Sequence, residues 1–155
     1  MSGLKLTKAQ REALVLVEQG DVSYHPGRTS GARSSWTRYS YEVRIGGKFS
    51  KRTKSVDKLM DLGLVDIVGS GTSTARVVLT TTGAAVCGVK GTKLAAVFVK
   101  RGQRVFARNG AEARVTEATG EYDIVHLRLS VGDFCFTETY RIGEAVLVAP
   151  IPTSA

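Results

Sequence analysis

Residues Ser50 to Val65 carry a periodicity that a helix satisfies and a strand does not. Val56, Leu59, Met60 and Gly63 recur at steps of three and four. At ~100° per residue they share one face, while Lys51, Lys54 and Lys58 fall opposite with Ser55 beside them. The spacing predicts a helix over Ser50–Leu62 that packs one side on a core. Its other side presents three ammonium groups and a hydroxyl. Gly63 supplies a left-handed stop, and Leu64 the apolar contact that often follows one.

The cations around this helix are concentrated. Between Gly27 and Lys54 stand Arg28, Arg33, Arg38, Arg44, Lys48, Lys51, Arg52 and Lys54, against the single acid Glu42. Whole-chain net charge is +8, so this segment carries nearly all of it. Trp36, Tyr39 and Tyr41 lie among the charges. Clustered cations with interleaved aromatics suit a polyanion, usually nucleic acid. A solvated basic loop is the plain alternative. Residues 91–155 are nearly neutral, which divides the chain into a basic half and a half with another task.

The rest of the basic half reads as α and β. Thr7 and Gln10 have capping-box spacing. Leu6, Ala9, Ala13, Leu16 and Val17 then mark one face of a helix from Lys8 to Gln19, and Gly20 stops it. Asp21–Tyr24 reads as a short strand, broken by His25-Pro26-Gly27. Trp36–Ile45 reads as a second strand, ended by Gly46-Gly47. Leu64–Val68 and Ala75–Thr80 flank a small polar turn, Gly69 to Thr74, which makes a hairpin. Thr80 to Val86 opens a short helix with a threonine cap.

A helix, a basic helix, a β-hairpin and a short helix in this order resemble the winged helix-turn-helix domain. The likeness is closest over Val56–Val86, where Leu62-Gly63-Leu64-Val65 is followed by a glycine-rich wing and then by Leu79-Thr80 and Gly83. Similar phrases close the recognition helix and wing of MarR-like and related bacterial and phage regulators. The resemblance implies that the helix lies in a DNA major groove. Lys51, Arg52, Lys54, Ser55 and Lys58 match recognition-helix positions, and Arg76 matches a wing position. The lysines would position the protein on phosphates, and Arg52 is the candidate for gripping guanine. One departure is plain: no second helix is legible between Gly20 and Ser50. Arg28, Arg33 and Arg38 are then free to act as a basic arm, with Arg44 and Lys48 beside them.

The second half is almost all strand. Leu94–Val99 is an apolar run, and Gln103–Arg108 and Ala111–Thr116 flank Asn109-Gly110, a strong hairpin signal. Asp123–Leu129 alternates, Val131-Gly132-Asp133 turns, and further strands follow at Phe134–Tyr140 and Ala145–Val148. This predicts a small antiparallel barrel or meander, loosely similar to the opening of KOW- or Tudor-like barrels. The expected fold class is therefore α+β. A winged-helix-like domain spans 1–89 and a small β-domain spans 94–149, with a linker at 90–93 and a loose tail at 150–155. A domain this small is expected to dock on the first half, on a second copy or on another protein.

Several classes fall away. No apolar run approaches the ~20 residues of a membrane helix, and Met1 to Leu6 lacks the apolar core of a secretion signal. A cytoplasmic protein is expected. Cys87 and Cys135 have no neighbouring ligand at metal spacing and read as small buried thiols, so no metal and no cofactor are expected. The chain lacks Gly-x-Ser-x-Gly, P-loop, dinucleotide and His-Glu-x-x-His signatures, and the reading is a binding protein rather than an enzyme. Three readings stay open. One is a sequence-specific regulator of bacterial or phage origin binding double-stranded DNA. Another is a nucleic-acid or architectural binder without sequence choice. The third is a phage structural or adaptor protein that uses its winged helix on other proteins.

Overall fold

A computed structural model describes residues 5–25, 29–30, 35–36, 40–45, 48–68 and 75–153. The arm residues Arg28, Arg33 and Arg38 lie outside them, as does the turn 69–74. The described chain is α+β, with three α-helices and two large antiparallel sheets.

Helix α1 (Lys8–Glu18) opens with the expected capping box. The Gln10 amide donates to Thr7 Oγ1 at 3.1 Å, and the Thr7 amide to Gln10 Oε1 at 3.0 Å. It closes at Gly20 with φ +75°, where the Asp21 and Gly20 amides bond the Leu16 and Val17 carbonyls at 3.0 and 2.9 Å. That paired closure satisfies carbonyls which the helix end would otherwise leave bare. Five strands follow: β1 (Val22–His25), β2 (Thr29–Ser30), β3 (Ser35–Trp36), β4 (Ser40–Ile45) and β5 (Lys48–Lys51). Then come α2 (Thr53–Asp61), β6 (Val65–Val68), β7 (Arg76–Leu79) and α3 (Thr81–Cys87). The first sheet runs β5-β4-β1-β7-β6, all antiparallel.

The basic helix is shorter than its periodicity predicts. It starts at Thr53 rather than Ser50, and Lys51 belongs to strand β5, opposite Glu42 of β4. The β4–β5 hairpin occupies the place where no second helix was legible. Beyond Asp61 the chain ends the helix as the sequence predicts. Gly63 has φ +72°, and the Leu64 and Gly63 amides bond the Leu59 and Met60 carbonyls at 3.0 and 2.9 Å. Thr80 then ties this corner to α3. Its hydroxyl donates to the Gly63 carbonyl at 2.6 Å and accepts from the Gly83 amide at 3.1 Å as the α3 cap. The first core gathers Ala13, Leu14 and Val17 of α1, Val56 and Leu59 of α2, Val22 and Val43, and Val65, Val77 and Leu79.

The second half forms β8 (Thr92–Ala95), a 3-10 turn (Ala96–Phe98), β9 (Arg104–Phe106), β10 (Glu112–Glu121), β11 (Ile124–Val131), β12 (Phe134–Arg141) and β13 (Ala145–Val148). They make one antiparallel sheet in the order β12-β11-β10-β9-β13-β8. At Asn109-Gly110, the Gly110 amide bonds the Ala107 carbonyl and the Ala107 amide bonds the Ala111 carbonyl, each at 2.8 Å. With Gly110 at φ +87°, this is a three-residue loop with a glycine bulge. The 3-10 turn bridges the two sheet edges, because Ala96 and Val97 donate to the Glu144 and Ile142 carbonyls at 2.8 and 3.2 Å. A separate core lies within, including Leu94, Val105, Val115, Leu127, Leu129 and Val146.

Three expectations of the second half are corrected. The linker is not free: Thr92 is fully buried, and its Oγ1 accepts from the Leu79 amide at 2.8 Å. Nor is the tail loose through 153. Ile151 pairs with Thr80, accepting from the Thr81 amide at 2.9 Å and donating to the Leu79 carbonyl at 3.1 Å. Thr153 Oγ1 meets the Thr81 and Thr82 hydroxyls at 2.8 Å each. Finally, Cys135 is exposed rather than a buried thiol, while Cys87 is half-buried. Burial first, and then the charge of Glu18, push the Cys87 thiol up.

Arg108 pins the hairpin loop to β12. Its guanidinium lies 4.2 Å from the Tyr140 ring centroid and donates to the Thr139 carbonyl at 2.7 Å and to Glu144 at 3.1 Å. Tyr140 in turn donates to Glu138. Burial first, and then this hydrogen bond, push the Tyr140 phenol well above its ordinary value. The folded protein thus keeps a proton that the unfolded chain releases. The stabilisation is complete below about pH 10, the ordinary phenol value, and is lost as pH rises from there. Tyr140→Phe is expected to flatten the alkaline loss of stability, read as urea midpoints between about pH 8 and about pH 11.5. Parallel losses in the two proteins would contradict this role.

Candidate nucleic-acid interface

The α2 helix divides as its sequence requires. Val56 and Leu59 are fully buried, and Lys54 and Lys58, one turn apart, are exposed. Packing of α2 on α1, β4 and β6 fixes which side faces out. Ser55 is half-buried, beside Lys54. Arg52 holds the N-cap position and is half-buried there. As the N-cap, Arg52 makes no capping hydrogen bond through its side chain. The positive end of the helix dipole lies at this start and favours an anion.

A groove of about 600 Å3 runs past this end, lined by Arg52, Thr53, Lys54 and Ser55 on one side and by Ala9 and Glu12 of α1 on the other. Two cations and two hydroxyls meet there with one carboxylate. The β4–β5 pair leads directly into α2: Lys51, opposite Glu42, is at the end that joins the helix, while Arg44, opposite Phe49, and Lys48, opposite Ile45, are toward its other end. Lys54, Ser55, Lys58 and Arg52 are thus brought together on α2. Lys51 precedes it in a strand.

Arg76 stands elsewhere. It opens β7, opposite Val68 and Ser23, and its guanidinium lies 3.6 Å from the Phe98 ring centroid in the second half. Burial lowers its pKa, and Asp21 partly offsets that. This placement argues against the wing contact that the resemblance implies for Arg76. Sequence reasoning missed the α1 wall of the groove: periodicity puts Ala9 on the apolar face of α1, whereas it is exposed, and Glu12 carries no motif. It also missed the Arg76–Phe98 pair, whose members lie in different halves of the chain.

No family model matches this chain, and no curated protein or solved structure matches it. Among the described residues, no helix is long and apolar enough to cross a membrane.

Proposed function

We propose that the first half binds duplex DNA as a winged-helix variant in which the β4–β5 hairpin replaces the second helix, with α2 as the helix that enters the major groove. The observation that carries this reading is the α2 surface: Lys54 and Lys58 exposed opposite a fully buried Val56 and Leu59. Phosphates suit the lysines and the positive end of the helix dipole. Arg52, at the leading end, is the residue for a base contact. The role is that of a sequence-specific regulator of bacterial or phage origin.

Fluorescence anisotropy with selected and scrambled duplexes tests this. The double variant Lys54→Ala, Lys58→Ala is expected to weaken binding about tenfold at low salt and to make the plot of log affinity against log salt shallower by about two. An unchanged affinity would remove α2 from the interface. Arg52→Ala is expected to lower the ratio between the selected and scrambled duplexes as well as the affinity; a preserved ratio would place sequence reading elsewhere.

A second reading has its own support. Both exposed cations of α2 are lysines, which respond to charge and not to base identity. A binder without sequence choice would show the same salt dependence with equal affinity for every duplex.

A further inference from the structure

The junction between the two halves contains a cleft of about 380 Å3 that the DNA reading leaves unused. Gln19, Gly20 and Asp21 line it from the end of α1, Arg76 from β7, and Lys93, Ala95, Phe98, Gly143 and Ala145 from the second half. Gly20, Ala95, Gly143 and Ala145 contribute no polar side chain, so Arg76, Lys93 and Asp21 supply the charge of its lining.

Arg76 is the distinctive group. Its guanidinium is stacked on Phe98 at 3.6 Å. Stacking occupies the face of the guanidinium plane, while its N–H donors point out along the edges. One of those donors, Nε, is buried and has no hydrogen-bond partner among the described residues. A buried donor left unpaired is rare in folded proteins and calls for an explanation. The aromatic ring holds the guanidinium fork in one orientation, which is the arrangement that grips a planar carboxylate or a phosphate through two parallel bonds. Lys93 adds a second cation at the exposed rim. Asp21 opposes them, so the cleft holds two cations against one carboxylate and suits a small anion rather than a polyphosphate.

We propose that this cleft binds a small oxyanion, a carboxylate- or phosphate-bearing molecule, through the edge of the Arg76 guanidinium and the Lys93 ammonium. The site is independent of the DNA reading and stands or falls without it. Its position is suited to a ligand that bridges the two halves, since each half supplies one of the two cations.

The probes are inorganic phosphate and, separately, acetate, each titrated at constant ionic strength into the full chain labelled with nitrogen-15. Saturable shifts of the Gly20, Lys93, Ala95 and Gly143 amides are expected. The melting temperature should rise by about 5–10 °C at one hundred times the dissociation constant. A response to phosphate alone assigns the phosphoryl class, and a response to acetate alone or to both assigns carboxylate recognition. Arg76→Gln is expected to abolish saturation, and Arg104→Gln, on the exposed sheet surface, to leave it intact. Should Arg76→Gln fail to fold, Lys93→Gln carries the test, with at least a threefold loss of affinity expected. Linear shifts that never saturate would overturn the proposal, as would titrations unchanged in the Lys93 variant. Shifts at these amides caused by duplex DNA but by neither small anion would overturn it too.

Discussion

Leu59→Asp is expected to unfold the first half of the protein. Leu59 is fully buried at the centre of α2, among α1, β4, β6 and the other residues of the first core. Loss of its side chain alone would cost about 2–5 kcal/mol. The aspartate adds an unpaired carboxylate in an apolar site, at a further cost of several kcal/mol unless it takes up a proton. Together these approach the whole stability of a domain, about 5–15 kcal/mol. Circular dichroism should show lost helix at neutral pH, and duplex binding should vanish with it. The core of the second half shares no residue with the first, so the strand signal is expected to persist. A folded Leu59→Asp protein with wild-type helix content would mean that α2 does not pack as described, and the orientation of Lys54 and Lys58 would lose its basis.

Gly20→Ala is expected to destabilise the protein through two separable effects. Gly20 has φ +75°, a conformation that costs a residue with a side chain about 1 kcal/mol. An added Cβ would also collide with the Lys93 backbone carbonyl of the second half, and overpacking of this kind costs about 1–3 kcal/mol. The unfolded chain returns part of this, about 0.4–1 kcal/mol, because alanine has fewer states to lose. A net loss of about 1–4 kcal/mol follows. Gly102→Ala is the matched control. It has φ +91° and nothing within 4 Å of an added Cβ, so it reports the backbone cost alone. Urea unfolding of the two variants should differ by the collision energy. Equal losses would show that Gly20 and Lys93 do not touch in solution.

Much of the first half was legible because its signals are local. Thr7 with Gln10, Gly63 with Leu64, and Thr80 with Gly83 are rules about neighbouring backbone amides, and each marks a helix end within a residue or two. Lys54 and Lys58 were placed by periodicity alone. Lys51 was not, since the same periodicity ran three residues past the true helix start. Strand β5 had no alternating apolar pattern, and it is a strand because β4 supplies its hydrogen bonds. Thr92 and Ile151 looked like linker and tail for a similar reason: their partners, Leu79 and Thr80, are remote in sequence. Arg76 was read by its charge, whereas its direction is set by Phe98, a residue that no local rule connects to it.

The tail contact has a consequence for biosynthesis. Thr153 closes on Thr81 and Thr82 across 72 and 71 residues of chain, and Ile151 completes the backbone bonding of Leu79 and Thr81. Ribosomes deliver the earlier residues first, and domains begin to fold as they emerge. The nascent first half must therefore wait, with the last turn of its assembly undone, until the entire β-rich half has been made and threaded back to it.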